Sequence, residues 1–255
     1  TPHAMPRLPL AFECLSLAAC RAARPSELPR DEAWIVAVQS VRIPDWMQWH
    51  TQFAHHTWID AKRGSDDAWV RLEVEGEHTG GTLEALAPSE ARADRRWGRD
   101  VELHGFVVGA EAHRIAQRLD EAVAKFGPQY AATYRGWPGP NSNTFVRDVA
   151  REIGGPSFVF DHNAVGKNWH GFFGAGWTPS RTGVHVDVPG LGFALAAREG
   201  LELHLLGLVL GLQLSPLRLE LPVLPELPWS RGSSDAARDS TPAPRAKNTF
   251  TLGGA

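Results

Sequence analysis

The residues of this chain best placed to do chemistry are a hydroxyl at a helix start and a histidine followed, one strand later, by a carboxylate. Ser142 stands in the stretch Trp137-Pro138-Gly139-Pro140-Asn141-Ser142-Asn143-Thr144-Phe145-Val146, where two prolines fix the backbone and a glycine allows a reversal. Behind it Phe145, Val146, Val149 and Ile153 recur at helical spacing, which puts Ser142 at a helix N-terminus. Unpaired N–H groups and the helix dipole favour developing negative charge at such a place. A nucleophile also needs a base within reach and a group that orients the base. The pattern offers His56, in a strand-like segment with Trp58 on the same face, as the base. Glu73, on the polar face of the next strand, is the orienter. His55 points the other way along its strand and is the natural control. The plainer alternatives are that Asn141 or Ser142 is only a helix cap and that His56 is a satisfied strand histidine.

Asn141, Asn143 and Trp58 flank this centre and are assigned, with Lys167, to substrate binding. Lys167, in the Gly166-Lys167-Asn168 loop, would bring positive charge to an anionic head group or carboxylate; the alternative is a solvated loop lysine. His162 and His170 with Asp161 fit no tight ligand spacing, and no cysteine supports them, so no metal is expected. Gly171, Gly174 and Gly176 do not form a dinucleotide fingerprint between a strand and a helix, and no cofactor is expected.

The elements that must position these groups can be traced along 255 residues. A hydrophobic share of 43% excludes global disorder, and a net charge of −3 without a basic block argues against nucleic acid as a partner. Residues 1–33 hold Leu17-Ala18-Ala19-Cys20, which resembles a bacterial lipoprotein signal, and then a linker rich in Arg and Pro. Membrane association through an N-terminal lipid anchor, and a place in the cell envelope, follow as expectations; a cytoplasmic location stays open. The body, 34–228, begins with an apolar strand over 34–41. A hairpin follows, with strands at 53–60 and at 69–75, where Val70, Leu72 and Val74 alternate with Arg71, Glu73 and Glu75. Residues 82–100 show no period. A strand over 101–108 leads to a helix over about 110–126, stopped by Gly127-Pro128, and then to the helix over 143–153. From 184 to 221 short alternating segments predict an antiparallel sheet, and 229–255 has the composition of a disordered tail. The predicted class is α+β: an antiparallel sheet packed on helices, with an all-β C-terminal extension.

His56-Thr57-Trp58-Ile59, Arg71-Leu72-Glu73-Val74, the Trp137–Phe145 motif and Ala164-Val165-Gly166-Lys167-Asn168 occur in one order. In these stretches the chain resembles the bacterial DUF3750 family, a domain of unknown function. More distantly, Asn141-Ser142-Asn143-Thr144-Phe145 is similar to the Asn-Cys-x-x-Phe helix start of circularly permuted NlpC/P60, papain-like domains, with serine in place of cysteine. That resemblance implies a papain-like sheet with His56 as base and Ser142 at the nucleophile position. It also implies a cell-envelope hydrolase or acyltransferase acting on an amide or ester of a peptide, peptidoglycan or lipid-like substrate. A serine hydroxyl stays protonated where a thiol would ionise, so it needs its base in the transition state. The alternative is a catalytically silent protein of the same fold that binds an acyl, lipid or peptide ligand.

Overall fold

Two antiparallel sheets carry the chain, one wrapped by helices and one facing solvent. The computed structural model describes residues 23–47, 53–75, 81–155, 158–171, 173–214, 217–222 and 227–228. The lipoprotein-like stretch ending at Cys20 and the expected tail from residue 229 lie outside the described residues.

The first sheet has the order β4-β3-β2-β1-β6-β5. Its strands are β1 (Trp34–Arg42), β2 (His55–Arg63), β3 (Trp69–Glu73), β4 (Thr82–Leu86), β5 (Arg95–Arg96) and β6 (Arg99–Val108). The stretch 82–100, featureless in sequence, supplies β4, the one-turn α1 (Pro88–Ala91) and β5. Both of its strands are short and lie at the sheet edges, where pairing demands little of the sequence. Helices α2 (Gly109–Ala116), α3 (Leu119–Thr133) and α4 (Ser142–Glu152) cover one face. Val36, Val38, Ile59, Ala61, Leu72 and Val74 meet Ile115, Phe145, Val146 and Val149 there in one buried core. The opposite face carries two smaller clusters, one built on Ile35, Ala37 and Trp69 and the other on Val41, Trp58 and Val101.

The helix expected over 110–126 is two helices, and the expected stop at Gly127-Pro128 lies inside α3. Pro128 removes one helical donor and costs about 3 kcal/mol in isolation. Tertiary anchoring offsets this: Tyr130 is buried, packs edge-on against Phe145 and donates to Asp148 Oδ2 at 2.7 Å. Propensity loses to packing at this point.

The second sheet is a meander, β13-β12-β11-β10-β9-β8-β7. It runs through β7 (Gly174–Trp177), β8 (Gly183–Val188), β9 (Leu191–Ala196), β10 (Gly200–Leu205), β11 (Leu208–Leu214), β12 (Leu217–Glu220) and β13 (Leu227–Pro228). The expected all-β C-terminal region is present. Its faces are inverted relative to a soluble sheet. Register places Val186, Phe193, Leu203 and Leu210 in one cross-strand row and Val184, Leu195, Leu201, Leu212 and Leu219 in another, and all of these side chains are exposed. The other face, turned to the body, carries His185, Glu202, His204 and Glu220, all buried. Gly192 and Gly211 on that face sit against the Asp187 and Glu220 carboxylates, where a Cβ would collide.

Candidate functional site

The Pro-rich turn and its helix are built as a clamp. Both proline bonds of the turn, Trp137–Pro138 and Gly139–Pro140, are cis. Asn141 is the N-cap of α4: its Oδ1 accepts from Asn143 N at 3.0 Å and Thr144 N at 3.4 Å, and its own N–H donates to Thr144 Oγ1 at 3.2 Å. Its amide nitrogen donates to Gly136 O at 3.1 Å and Val165 O at 2.9 Å, tying the turn to the loop 161–168. Gly166 takes a positive φ of 86° there, and a Cβ on it would stand 2.6 Å from the Asn141 side chain. Asn143 Nδ2 donates to His55 O at 2.9 Å and Val165 O at 2.8 Å. Asn141 and Asn143, expected to bind substrate, thus donate their amide N–H groups to the protein's own backbone, while Asn143 Oδ1 is buried with no hydrogen bond among the described residues.

Ser142 is the first residue of α4, buried at the helix end, and its Oγ makes no hydrogen bond among the described residues. The expected base is not beside it. In β2 the side chains alternate: Ile59 and Ala61 point into the core under α4, so His55 and Thr57 share their face. His56 and Trp58 point the opposite way, toward Val41 and Val101. The sheet lies between His56 and Ser142, and the Ser142–His56 pair is not assembled.

His56 and Glu73 do meet, as expected of a histidine and its orienter, with Nε2 and Oε2 2.9 Å apart. Arg96 then occupies the rest of the carboxylate, with bonds of 2.8 and 3.0 Å to Glu73 and 2.7 Å to Glu75. Burial works to raise the Glu73 pKa, but the bonds from His56 and Arg96 outweigh it and hold the group at about 2. Trp58, assigned to substrate, is 1% exposed and sandwiched by the Arg71 and Arg96 guanidinium groups at 4.9 and 4.7 Å. Its indole N–H donates to Asp60, which is also held bidentately by Arg71. This face is a closed ionic network around one tryptophan.

Lys167 is neither solvated nor available to an anionic ligand. Its Nζ lies 2.8 Å from Glu202 Oε1, and both residues are buried. Burial alone pushes the lysine pKa down; Glu202 outweighs it, and the pKa is raised. Asn168 Nδ2 donates to Glu202 Oε2 at 3.2 Å, and His204 Nε2 is 2.9 Å from the same oxygen. Above this polar floor opens a cavity of about 280 Å3, walled by Trp137, Pro138, Trp169, Val188, Leu191 and Leu206.

A second cluster, absent from the expected site, lies on the helix side of the first sheet. His55 Nδ1 is 3.4 Å from Ser40 Oγ, and His104 Nε2 is 2.8 Å from the same hydroxyl. Asp161 Oδ1 stands 3.8 Å from His55 Nε2 and 3.8 Å from His162 Nδ1. Burial favours the neutral form of Asp161, but His55, His162 and the Asn163 N–H outweigh it and the pKa falls below the usual carboxylate range. No alternation in β2 announces this cluster, because every residue from His55 to Lys62 is buried; only the core contacts of Ile59 and Ala61 show that the odd-numbered histidine faces the helices.

A family model described as "Protein of unknown function (DUF3750)" matches residues 35–169. Neither the curated proteins nor the solved structures include a significant match to the chain. The matched region contains the first sheet, all three long helices, the clamp and both histidine clusters, and the chain belongs to the DUF3750 family.

Proposed function

We propose that this DUF3750 protein is an envelope-associated, lipid-binding protein on a permuted papain-like domain, and that its C-terminal sheet lies against a membrane surface. The observation that carries the reading is the apolar face of that sheet. Fourteen Val, Leu and Phe side chains of β8 to β12 stand on it, each between 37% and 64% exposed. Together they offer roughly 1,000 Å2 of apolar surface, against the few hundred Å2 usual for a monomer's largest patch. Strands that alternate apolar outward and polar inward are the pattern of lipid-facing sheets. Val188, Leu191 and Leu206 belong both to this exposed surface and to the wall of the 280 Å3 cavity, so the cavity opens at its rim. An apolar pocket of that size with a polar floor suits an acyl chain with a hydrogen-bonding head. Among the described residues no helix is long and apolar enough to cross a membrane. The lipoprotein-like Leu17-Ala18-Ala19-Cys20 would supply a second attachment, and stable anchoring takes two signals.

The papain-like assignment is supported by the order of parts: a histidine-bearing strand, a carboxylate on the next strand, and an Asn-Ser helix start packed on the sheet. A hydrolase or acyltransferase centred on Ser142 is the second reading. What favours it is that α4 begins against the backbone of His55, so His55, not His56, would be the base.

Flotation with phosphatidylcholine vesicles tests the lipid reading. Wild type should float, with little dependence on salt because the contact is apolar. Leu203→Asp/Leu212→Asp, which leaves the polar face untouched, should stay at the bottom of the gradient. Failure of wild type to float, with light scattering that shows a dimer abolished by the same substitutions, would assign the face to a second copy instead. Labelling by a fluorophosphonate, lost in Ser142→Ala and His55→Ala but kept in His56→Ala, would establish the second reading.

A further inference from the structure

The imidazoles and carboxylates on the helix side of the first sheet converge on one point. Ser40 Oγ stands between two rings, 2.8 Å from His104 Nε2 and 3.4 Å from His55 Nδ1. That contact holds the His55 ring with its Nε2 toward Asp161 Oδ1, 3.8 Å away. On the other side of Asp161, Asn163 Nδ2 lies 2.9 Å from His162 Nε2, and His162 Nδ1 faces Asp161 Oδ1 at 3.8 Å. Asn163 N donates to Asp161 Oδ1 at 2.6 Å. His55 Nε2 and Asp161 Oδ1 thus face each other across a gap too long for a hydrogen bond and of the width a shared cation would span.

The ligating atoms of His55, Glu102 and Asp161 all lie within 4.8 Å of one another. Two ligands each about 2.1 Å from one tetrahedral ion would stand roughly 3.4 Å apart. Closing His55 Nε2 and Asp161 Oδ1 onto an ion thus needs a shift of only a few tenths of an ångström. Ser40 and Glu102 are direct cross-strand partners on β1 and β6, and Ser40 also pairs with Thr57, so the site is drawn from three neighbouring strands and one loop. Thr57 Oγ1, on the same face, is buried with no hydrogen bond among the described residues. Glu102 is half-buried, so one ligand of the group lies nearer solvent than the other two. One other histidine–carboxylate group, His56 with Glu73 and Glu75, has a comparable span, but there the Arg96 guanidinium already bonds both carboxylates. Its cation is built in.

We infer that His55, Glu102 and Asp161 bind one divalent transition-metal ion of the zinc type, with Ser40 orienting His55 from behind and His162 steadying Asp161. One imidazole and two carboxylates with an open position form a mixed N/O ligand set of the kind that binds zinc and holds an activated water. The site does not depend on the lipid reading, because it lies on the other sheet and involves none of the residues of the apolar face.

Isothermal titration of the metal-stripped full chain with Zn2+, and metal content by mass spectrometry after dialysis, test it. Wild type and His56→Ala should each retain one ion. Glu102→Gln, at the ligand nearer solvent, should weaken binding at least tenfold, and Asp161→Asn should abolish it. If Asp161→Asn does not fold, His55→Gln serves in its place. Wild type that takes up no zinc at micromolar concentration, or Glu102→Gln and His55→Gln that bind as tightly as wild type, would overturn the assignment and leave the cluster a proton-held ion pair.

Discussion

Replacing Asn141 should cost far more stability than replacing the neighbouring Ser142, although the serine is the residue that looks chemical. Asn141→Ala removes the acceptor that serves two helix N–H groups, worth about 1 kcal/mol as a cap. It also removes two donated bonds, to Gly136 O and Val165 O, each worth about 1 kcal/mol net. The expected loss is about 3 kcal/mol. Asn141→Ser keeps a capping oxygen and gives up the two donated bonds, so it should lose about 2 kcal/mol, between wild type and alanine. Ser142→Ala removes a hydroxyl that has no hydrogen bond among the described residues, at a first helical position where alanine is well suited. Its effect should stay within about 0.5 kcal/mol. Urea unfolding followed by tryptophan fluorescence, with the m-value held common, reads all three. Ser142→Ala as costly as Asn141→Ala would refute the reasoning: the serine side chain would then be a structural tie, and the cap would not be what holds the turn to the loop 161–168.

Glu202→Gln should destabilise by about 3 kcal/mol, because it removes the carboxylate that compensates the buried Lys167 charge and leaves only a neutral acceptor in its place. The double change Lys167→Met/Glu202→Leu should recover most of that loss, as measured by the same unfolding curves. Thermal stability should fall in two steps on acidification. His170 and His185, in edge contact, are pushed down to about 4 by burial. Their unfolded forms bind more protons between pH 6.5 and 4, so their contribution is present above that window and lost as pH falls through it. Glu73, held at about 2 against an ordinary 4.5, contributes on the order of 3 kcal/mol that is lost between about pH 4.5 and 2. Arg96→Gln should shrink that second step and leave the first unchanged.

The sequence was legible where one periodicity acted alone. Val70, Leu72 and Val74 alternate and lie in the core; Phe145, Val146, Val149 and Ile153 recur at helical spacing and pack against the sheet. Asn141-Ser142 was readable as a helix start, because Asn, Pro and Gly each leave a local backbone signature. What periodicity could not reveal was which of two adjacent histidines faces the helices. That depends on the phase of β2 relative to the core, set by Ile59 and Ala61 farther along the strand. The Lys167–Glu202 pair joins residues 35 apart through a contact between a loop and the second sheet. No local pattern announces it, and a Gly-Lys-Asn loop reads as solvated until that sheet is placed on top. Pro128 misled for the opposite reason: its local message is strong, but Tyr130 and Asp148 override it.

The inverted second sheet explains why the polar floor exists at all. Register puts His185, Glu202 and Glu220 in one row and Asp187 and His204 in the next, all turned toward the body. Buried charges in such number are tolerable only where opposite charges meet: Lys167 and His204 contact Glu202, and His204 lies 3.6 Å from Asp187. Burying Leu201, Leu203, Leu210 and Leu212 against the body instead would have removed the desolvation cost of these ions and hidden the apolar surface in the same step. A one-residue slip of each strand would accomplish that exchange. The observed register accepts the costlier inside in order to present the leucines outside. Such a register is unfavourable for a chain that keeps all its surfaces in water, and favourable for one whose leucines leave water against another apolar phase. That asymmetry, more than the size of the patch, is why we propose a lipid surface as the partner of this sheet.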